Sequence, residues 1–235
     1  MCAIAASILG CKHAAIGEAV KRAEAAGADS IHIDVMDGDY VDNLSFGPQL
    51  VHELGELTGL PLCLHLETKR PDRYFRLFRD SSAAEIAFQL DACSNPLHLI
   101  REIRKSGKRV GIGLGPAFAV ETLRYVLPYL DSVIVMSVEP GYGGQPFESS
   151  VYQKLRQVRQ LAQELGLAKV PTISVDGGVN VERIPRLVQE GADVLICGTS
   201  AFLGNRIEEN LAALREAEQK ARQDCAPIGA NCERY

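Results

Sequence analysis

Short apolar runs separated by longer amphipathic stretches recur eight times along the chain, and few folds accept that pattern. Strands that are apolar throughout need cover on both faces, which a parallel sheet obtains from the helices that connect its strands. The spacing predicts strands over residues 4–9, 30–35, 61–66, 85–89, 109–114, 132–138, 172–175 and 194–197. Helical periodicity falls between them, as over 16–25, 48–57, 95–106, 150–165 and 181–190, and Gly27, Gly59, Gly107 and Gly191 read as helix stops before the next strand. Eight strand–helix units imply an α/β fold, a closed (β/α)8 TIM barrel. An open doubly wound sheet is the competing architecture, but it calls for a glycine-rich turn after the first strand. Here that strand runs into Leu9-Gly10-Cys11-Lys12, with no GxGxxG.

The chain has 235 residues and no Pro/Gly/Ser-rich or charge-dense linker, so it reads as a single barrel domain over 1–220 with a flexible C-terminal tail over 221–235. That tail contains Pro227 and Gly229 and has no apolar period. The net charge of −5 and the lack of a Lys/Arg cluster argue against a nucleic-acid partner. The longest apolar runs, such as Val133-Ile134-Val135-Met136, are strand-sized, which argues against a membrane partner. Met1-Cys2-Ala3-Ile4 has neither the basic start nor the cleavage site of a signal peptide, so a cytoplasmic protein is expected. The seven cysteines show no CxxC spacing. Cys63 and Cys197 sit in apolar runs and read as small buried hydrophobes, while a disulfide between Cys225 and Cys232 in the tail stays open.

In such a barrel the chemistry gathers at the C-terminal ends of the strands. The second strand carries His32, Asp34 and Met36 on one face, with Ile31, Ile33 and Val35 toward the helices. The third places Cys63, His65 and Glu67 on one face, and the seventh ends at Asp176 after Ser174. A single strand histidine is usually structural, and a strand-end Asp often only caps the next helix. Four such groups on three strands are harder to explain that way. Buried charges need a partner, and two imidazoles with two carboxylates make an adequate site for one divalent ion, with Zn, Mn, Fe and Co all compatible.

Glycine-rich segments follow the last three strands: Pro140-Gly141-Tyr142-Gly143-Gly144-Gln145, Asp176-Gly177-Gly178-Val179-Asn180 and Gly198-Thr199-Ser200. Turns use Gly-Gly freely, but three successive loops of this kind let backbone N–H groups close on an anion. Loops at this end of such barrels often hold a phosphate. A small phosphorylated ligand is expected.

The motifs Ser7-Ile8-Leu9, His32-Ile33-Asp34-Val35-Met36-Asp37-Gly38, Asn43-Leu44-Ser45-Phe46-Gly47-Pro48, His65-Leu66, Met136-Ser137-Val138 and the glycine-rich segments together resemble the ribulose-phosphate 3-epimerase family. The resemblance runs from Ile4 to about Phe202. It implies a (β/α)8 fold and metal-dependent epimerisation at C3 of a phosphorylated ketose, D-ribulose 5-phosphate to D-xylulose 5-phosphate. The same resemblance makes His32, Asp34, His65 and Asp176 the metal ligands, with Asp34 and Asp176 also the acid/base pair. It places Ser7, Met36, His65, Met136, Gly141, Tyr142, Gly143, Gly144, Asp176, Gly177, Gly178, Gly198 and Thr199 against the substrate, and it implies a homo-oligomer.

The chemistry fits those residues. The C3 proton of a ketose lies beside the C2 carbonyl, so its removal leaves an enediolate whose charge a divalent ion can neutralise. Inversion needs one acid/base group on each side of the carbon. The chain departs from the family pattern at Glu67, where methionine is usual, at Gln89-Leu90-Asp91, at Gly115-Pro116-Ala117-Phe118 and at Glu139. These departures make a hexulose phosphate such as D-allulose 6-phosphate the alternative substrate. They leave Glu67 to meet the metal, a sugar hydroxyl, or a cation such as Lys69 or Arg70. A phosphosugar decarboxylase would need lysine where Met36 stands, and a Schiff-base aldolase needs a strand lysine that no candidate strand contains. A non-catalytic sugar-phosphate sensor would have no use for two opposed carboxylates.

Overall fold

A computed structural model describes residues 1–224. Eight strands pair in chain order, each parallel to the next: β1 (Ala3–Ser7), β2 (Ser30–Met36), β3 (Leu62–Glu67), β4 (Glu85–Gln89), β5 (Arg109–Leu114), β6 (Ser132–Met136), β7 (Thr172–Asp176) and β8 (Val194–Cys197). β8 returns to pair with β1, as in Ala5 opposite Ile196, and this closes the barrel. The helices are α1 (Ile16–Ala25), α2 (Pro48–Leu57), α3 (Pro71–Phe78), α4 (Pro96–Lys105), α5 (Ser150–Glu164), α6 (Ile184–Gln189), α7 (Thr199–Phe202) and α8 (Ile207–Asp224). Pro48, Pro71 and Pro96 open α2, α3 and α4, where a residue without an N–H costs no helical hydrogen bond.

Strand alternation sorts the side chains into two cores. Ile31, Ile33, Val35, Leu62, Leu64, Leu66, Ile173 and Val175 point outward into the main core beneath the helices. Each such aliphatic chain, fully buried, is worth roughly 1.5–3 kcal/mol. The opposite parity fills the barrel, whose small inner core is Ala5, Ala87, Ile134, Met136 and Ile196. At the N-terminal ends of the strands the interior turns polar, and its hydrogen bonds run from buried Ser132 out to a half-exposed Arg109. Ser132 Oγ donates to Glu85 Oε1 at 2.6 Å, Arg109 Nε pairs with Glu85 Oε2 at 3.2 Å, and Arg109 also reaches Thr172 Oγ1 at 3.4 Å.

Several sequence expectations shift at the ends of elements. β1 stops at Ser7 because Ile8–Gly10 coils into a 3-10 turn, and β6 stops at Met136. The connection from β5 to β6 has no α-helix, only two 3-10 turns, Val120–Leu123 and Leu127–Tyr129, the second carrying a proline in its first turn. Gly27, Gly107 and Gly191 take the left-handed conformation of helix stops, whereas α2 is already left at Thr58 in extended form and Gly59 is not one. α8 runs through Asp224 with Ala221 buried, so residues 221–224 are helical rather than the start of a tail. The rest of the expected tail, Cys225 and Cys232 included, lies outside the described residues. Cys197 is fully buried, as a small hydrophobe should be, but Cys63 faces the barrel interior and is only half-buried. No helix among the described residues is long and apolar enough to cross a membrane.

Candidate active site

Neighbouring strands bring the predicted polar residues to one level of the barrel. The β2–β3 register sets Asp34 opposite His65 and Met36 opposite Glu67, and the β6–β7 register sets Met136 opposite Asp176. All of these side chains have the inward parity. His32, Asp34 and His65 are almost wholly buried, and one donor atom from each of His32, Asp34, His65 and Asp176 lies within 4.8 Å of the others. His32 Nε2 is 2.9 Å from Asp34 Oδ1 and 3.5 Å from Asp176 Oδ2. His65 Nδ1 stands 3.5 Å from Asp34 Oδ1 and 3.7 Å from Asp176 Oδ2, too far for a hydrogen bond, and it is a buried nitrogen without a partner.

Each member is held from behind. Ser7 Oγ donates to Asp34 Oδ2 at 2.9 Å, so the Ser7 hydroxyl steadies the carboxylate as well as lining the cavity. Ser45 Oγ donates to the Asp34 carbonyl and accepts from the Met36 amide, which gives the Asn43–Pro48 motif a local purpose. Asn43 Nδ2 donates to the Gly141 carbonyl at 2.9 Å and ties the loop after β2 to the loop after β6. Ser137 N donates to the Asp176 carbonyl at 2.8 Å, and Ser137 Oγ donates to the carbonyls of Asp176 and Gly177. Gly177 has φ +102°, and a Cβ there would come within 2.5 Å of Val138, so the turn carrying Asp176 past β6 requires glycine.

Behind His65 sits Gln89, fully buried on β4, with Nε2 3.2 Å from His65 Nε2 and with Oε1 unpartnered. A Cβ on Gly113 of β5 would lie 2.7 Å from His65 Nε2 and 2.9 Å from Gln89, so this contact exists only because β5 has glycine there. With Nε2 engaged by Gln89, Nδ1 is the ring nitrogen that faces the carboxylates. If the amide turns to offer Oε1, an Nε2–H can donate to it, which leaves Nδ1 with a free lone pair.

The electrostatics follow from this packing. Burial opposes a charge on His32, yet Asp34 and Asp176 outweigh it and raise its pKa well above the usual imidazole value. His65 behaves likewise: burial works against the cation, and Asp176, Asp34 and Glu67 lift it to about 9. Burial also disfavours ionised Asp34 and Asp176, but the two histidines hold both carboxyls below the ordinary range. Glu67 is the exception, pushed up by burial, drawn down by His65 and pushed up again by Asp34 and Asp176, to about 8.

Two nitrogen and two oxygen donors converging on one point, with an orphaned lone-pair site on His65, fit a divalent ion of the Zn, Mn, Fe or Co type. The four residues expected as ligands are thus brought together. A cavity of about 770 Å³ opens above them. Ser7, Met36, Met136, Gly141, Tyr142, Gly143, Gly144, Asp176, Gly177, Gly178, Gly198 and Thr199 all line it, while His65, also expected to touch substrate, lies beneath the surface and is fully buried. Glu67 lines the cavity too, and of the partners left open for it, neither Lys69 nor Arg70 pairs with it. Arg70 pairs with Asp72 at 3.2 Å, and Lys69 gives its backbone N–H to Asp37. Sequence reasoning missed Arg183, which lines the cavity, donates to the Gly178 carbonyl at 2.7 Å and stacks 4.5 Å from the Phe147 ring. It is the only Lys or Arg on the cavity wall among the described residues. Nothing in its local sequence marks it, because the stacking partner comes from another loop.

Comparison with known proteins places this geometry. A model of the ribulose-phosphate 3 epimerase family matches residues 3–202. The ribulose-phosphate 3-epimerase of Bacillus subtilis (strain 168) is 40% identical over 202 residues, covering 86% of this chain and 93% of that protein. That of Synechocystis sp. is 36% identical over 219 residues, covering 92% and 94%. The chloroplastic ribulose-5-phosphate-3-epimerase of Arabidopsis thaliana is 34% identical over 221 residues, covering 93% and 78%. Among solved structures, phosphoribosyl anthranilate isomerase from Thermus thermophilus superposes with a TM-score of 0.62 at 17% identity, covering 93% of this chain and 98% of that one. KGPDC from Streptococcus mutans gives 0.66 at 15% identity, covering 94% and 99%. At such identities the structural likeness speaks for the barrel alone.

Proposed function

The chain belongs to the ribulose-phosphate 3-epimerase family and is an isomerase of that type, and from that premise we propose that it interconverts D-ribulose 5-phosphate and D-xylulose 5-phosphate by proton transfer between Asp34 and Asp176. The observation that carries the reading is the pair of carboxylates, one from β2 and one from β7, facing a single cavity above two buried histidines. Binding places C3 of the sugar between them. One Asp takes the C3 proton, the C–H electrons form the C2–C3 double bond, and the carbonyl oxygen becomes an enediolate oxygen. The other carboxyl, which the reactive form must hold protonated against its lowered pKa, delivers that proton to the opposite face as the C2 carbonyl re-forms. Each carboxyl then resets by exchange with solvent.

His32, Asp34, His65 and Asp176 would hold the divalent ion, which would supply Lewis-acid stabilisation of the negative charge. Ser7 keeps Asp34 aimed, and Ser137 fixes the turn that carries Asp176. Met36 and Met136, almost wholly buried, give the reacting carbon polarizable apolar walls that keep water off it. Gly141, Gly143, Gly144, Gly177, Gly178, Gly198 and Thr199 leave room for a phosphate close to the backbone, on the side of the cavity where Arg183 adds a positive side chain. The cytoplasm and a homo-oligomeric state complete the reading, as does a single catalytic domain ending with α8.

The test is a kinetic comparison of the metal-loaded protein on pentulose and hexulose 5- and 6-phosphates, with metal analysis of the same sample. We expect the highest kcat/KM on D-ribulose 5-phosphate and about one divalent ion per chain. A higher kcat/KM on D-allulose 6-phosphate would move the substrate to a hexulose phosphate. Binding without turnover of either would make the protein a sensor.

A further inference from the structure

Glu67 is a carboxyl that the protein buries without a hydrogen bond. It is 2% exposed, its Oε2 accepts no hydrogen bond, and its Oε1 stands 3.8 Å from His65 Nδ1. It does not belong to the group of four whose donor atoms lie within 4.8 Å of one another. Its side chain forms part of the cavity wall beside Met36. An unmet buried carboxyl costs a few kcal/mol, so a chain that keeps one facing a cavity has a partner for it that arrives with the ligand.

Topology says which part of the ligand. In a closed ring of eight strands, β3 stands diametrically across from β7. The glycine turn Gly177-Gly178 and the cation Arg183 follow β7, so a phosphate held there points the other end of the sugar at β3. With C3 between Asp34 and Asp176, the phosphate-bearing carbon extends toward the glycine loops and C1 extends toward Glu67. We propose that Glu67 is a specificity-determining residue that accepts a hydrogen bond from the C1 hydroxyl of the ketose phosphate. This inference rests on the ketose-phosphate reading above.

The experiment is a cycle between protein and substrate. D-Xylulose 5-phosphate and 1-deoxy-D-xylulose 5-phosphate, which lacks only that hydroxyl, are compared on wild type, Glu67→Gln and Glu67→Leu. Turnover is read as C3 proton exchange in D2O, binding by calorimetry, and metal content on each protein. Wild type should favour the parent sugar by about 10- to 100-fold in kcat/KM, the cost of leaving a buried acceptor without its donor. Glu67→Leu should remove that preference by weakening the parent sugar while leaving the deoxy sugar within about twofold, because no partner is lost there. Glu67→Gln keeps an acceptor and should retain part of the preference even if the leucine variant packs poorly. Metal content should be the same in all three proteins.

Equal losses on both sugars would overturn the proposal, and so would a fall in metal content, which would make Glu67 a ligand. If wild type binds both sugars but exchanges neither, the proposed reaction fails while the binding cycle still decides the role of Glu67. Failure to bind either sugar would overturn both.

Discussion

The two ends of the barrel interior handle buried polarity in opposite ways. At the N-terminal end Glu85, Arg109, Ser132 and Thr172 satisfy one another, with Glu85 accepting from both Ser132 and Arg109. At the C-terminal end His65 Nδ1 and Glu67 Oε2 are both buried and both lack partners. Both ends belong to one barrel and are built by the same inward parity, and β4 contributes to each through Glu85 and Gln89. A network closed on itself serves stability, whereas a network left open has its missing partners supplied from outside the chain. Active sites are built from the second kind, at a cost in stability that the rest of the barrel offsets.

That contrast can be broken most sharply at the carboxylates. Asp34→Asn and Asp176→Asn should each lower kcat by about 10³-fold, the scale of a positioned acid/base group, while shifting the thermal midpoint by only a few degrees. A comparable loss of Tm with little loss of kcat would place these residues in the structural class. One step back, Gln89→Leu should weaken metal affinity by about tenfold through His65 and leave the fold intact, as titration with Zn or Co would show.

At the other end the pattern should reverse. Glu85→Ala leaves the buried Ser132 hydroxyl without its acceptor, so it should cost about 1–2 kcal/mol, seen as a lower Tm, with kcat within about twofold of wild type. The smallest effect is pH-dependent and confined to metal-stripped protein. His65 has an ordinary value of 6.5 and is raised to about 9 in the fold, so its contribution is complete below pH 6.5 and is lost as the pH rises toward 9. Glu67, raised to about 8, acts in the same direction because the folded chain holds its proton longer than the unfolded one. The Tm of the stripped protein should therefore fall from about pH 4.5, where Glu67 acts alone, to about pH 9. Glu67→Gln should flatten the lower part of that fall.

How far the sequence reveals this contrast depends on whether a feature is periodic. His32, Asp34, His65 and Asp176 stand out because strand parity puts them where branched aliphatics would otherwise sit, and the structure brings all four together. The barrel was legible for the same reason, since an alternation repeated eight times leaves little freedom. The 3-10 turns between β5 and β6 were not, because a proline and weak local periodicity decide them. The reach of α8 to Asp224 goes with the burial of Ala221, which only the folded chain shows. Glu67 could be placed on the right face, but its lack of a partner is a property of everything around it. Arg183 is the clearest case: its position is set by stacking on Phe147, and one-dimensional pattern holds no trace of that.

The most direct test of the open, two-faced site is the fate of the C3 hydrogen. The metal-loaded protein is incubated in D2O with D-ribulose 5-phosphate and sampled at low conversion, with product and remaining substrate separated for NMR. Transfer between two carboxyls that reset with solvent predicts xylulose 5-phosphate carrying deuterium at C3 and recovered substrate still carrying protium. Product that keeps the substrate's own hydrogen, or deuterium appearing first in the recovered substrate, would mean that a single group works one face, and would contradict the assignment of Asp34 and Asp176 as opposed partners.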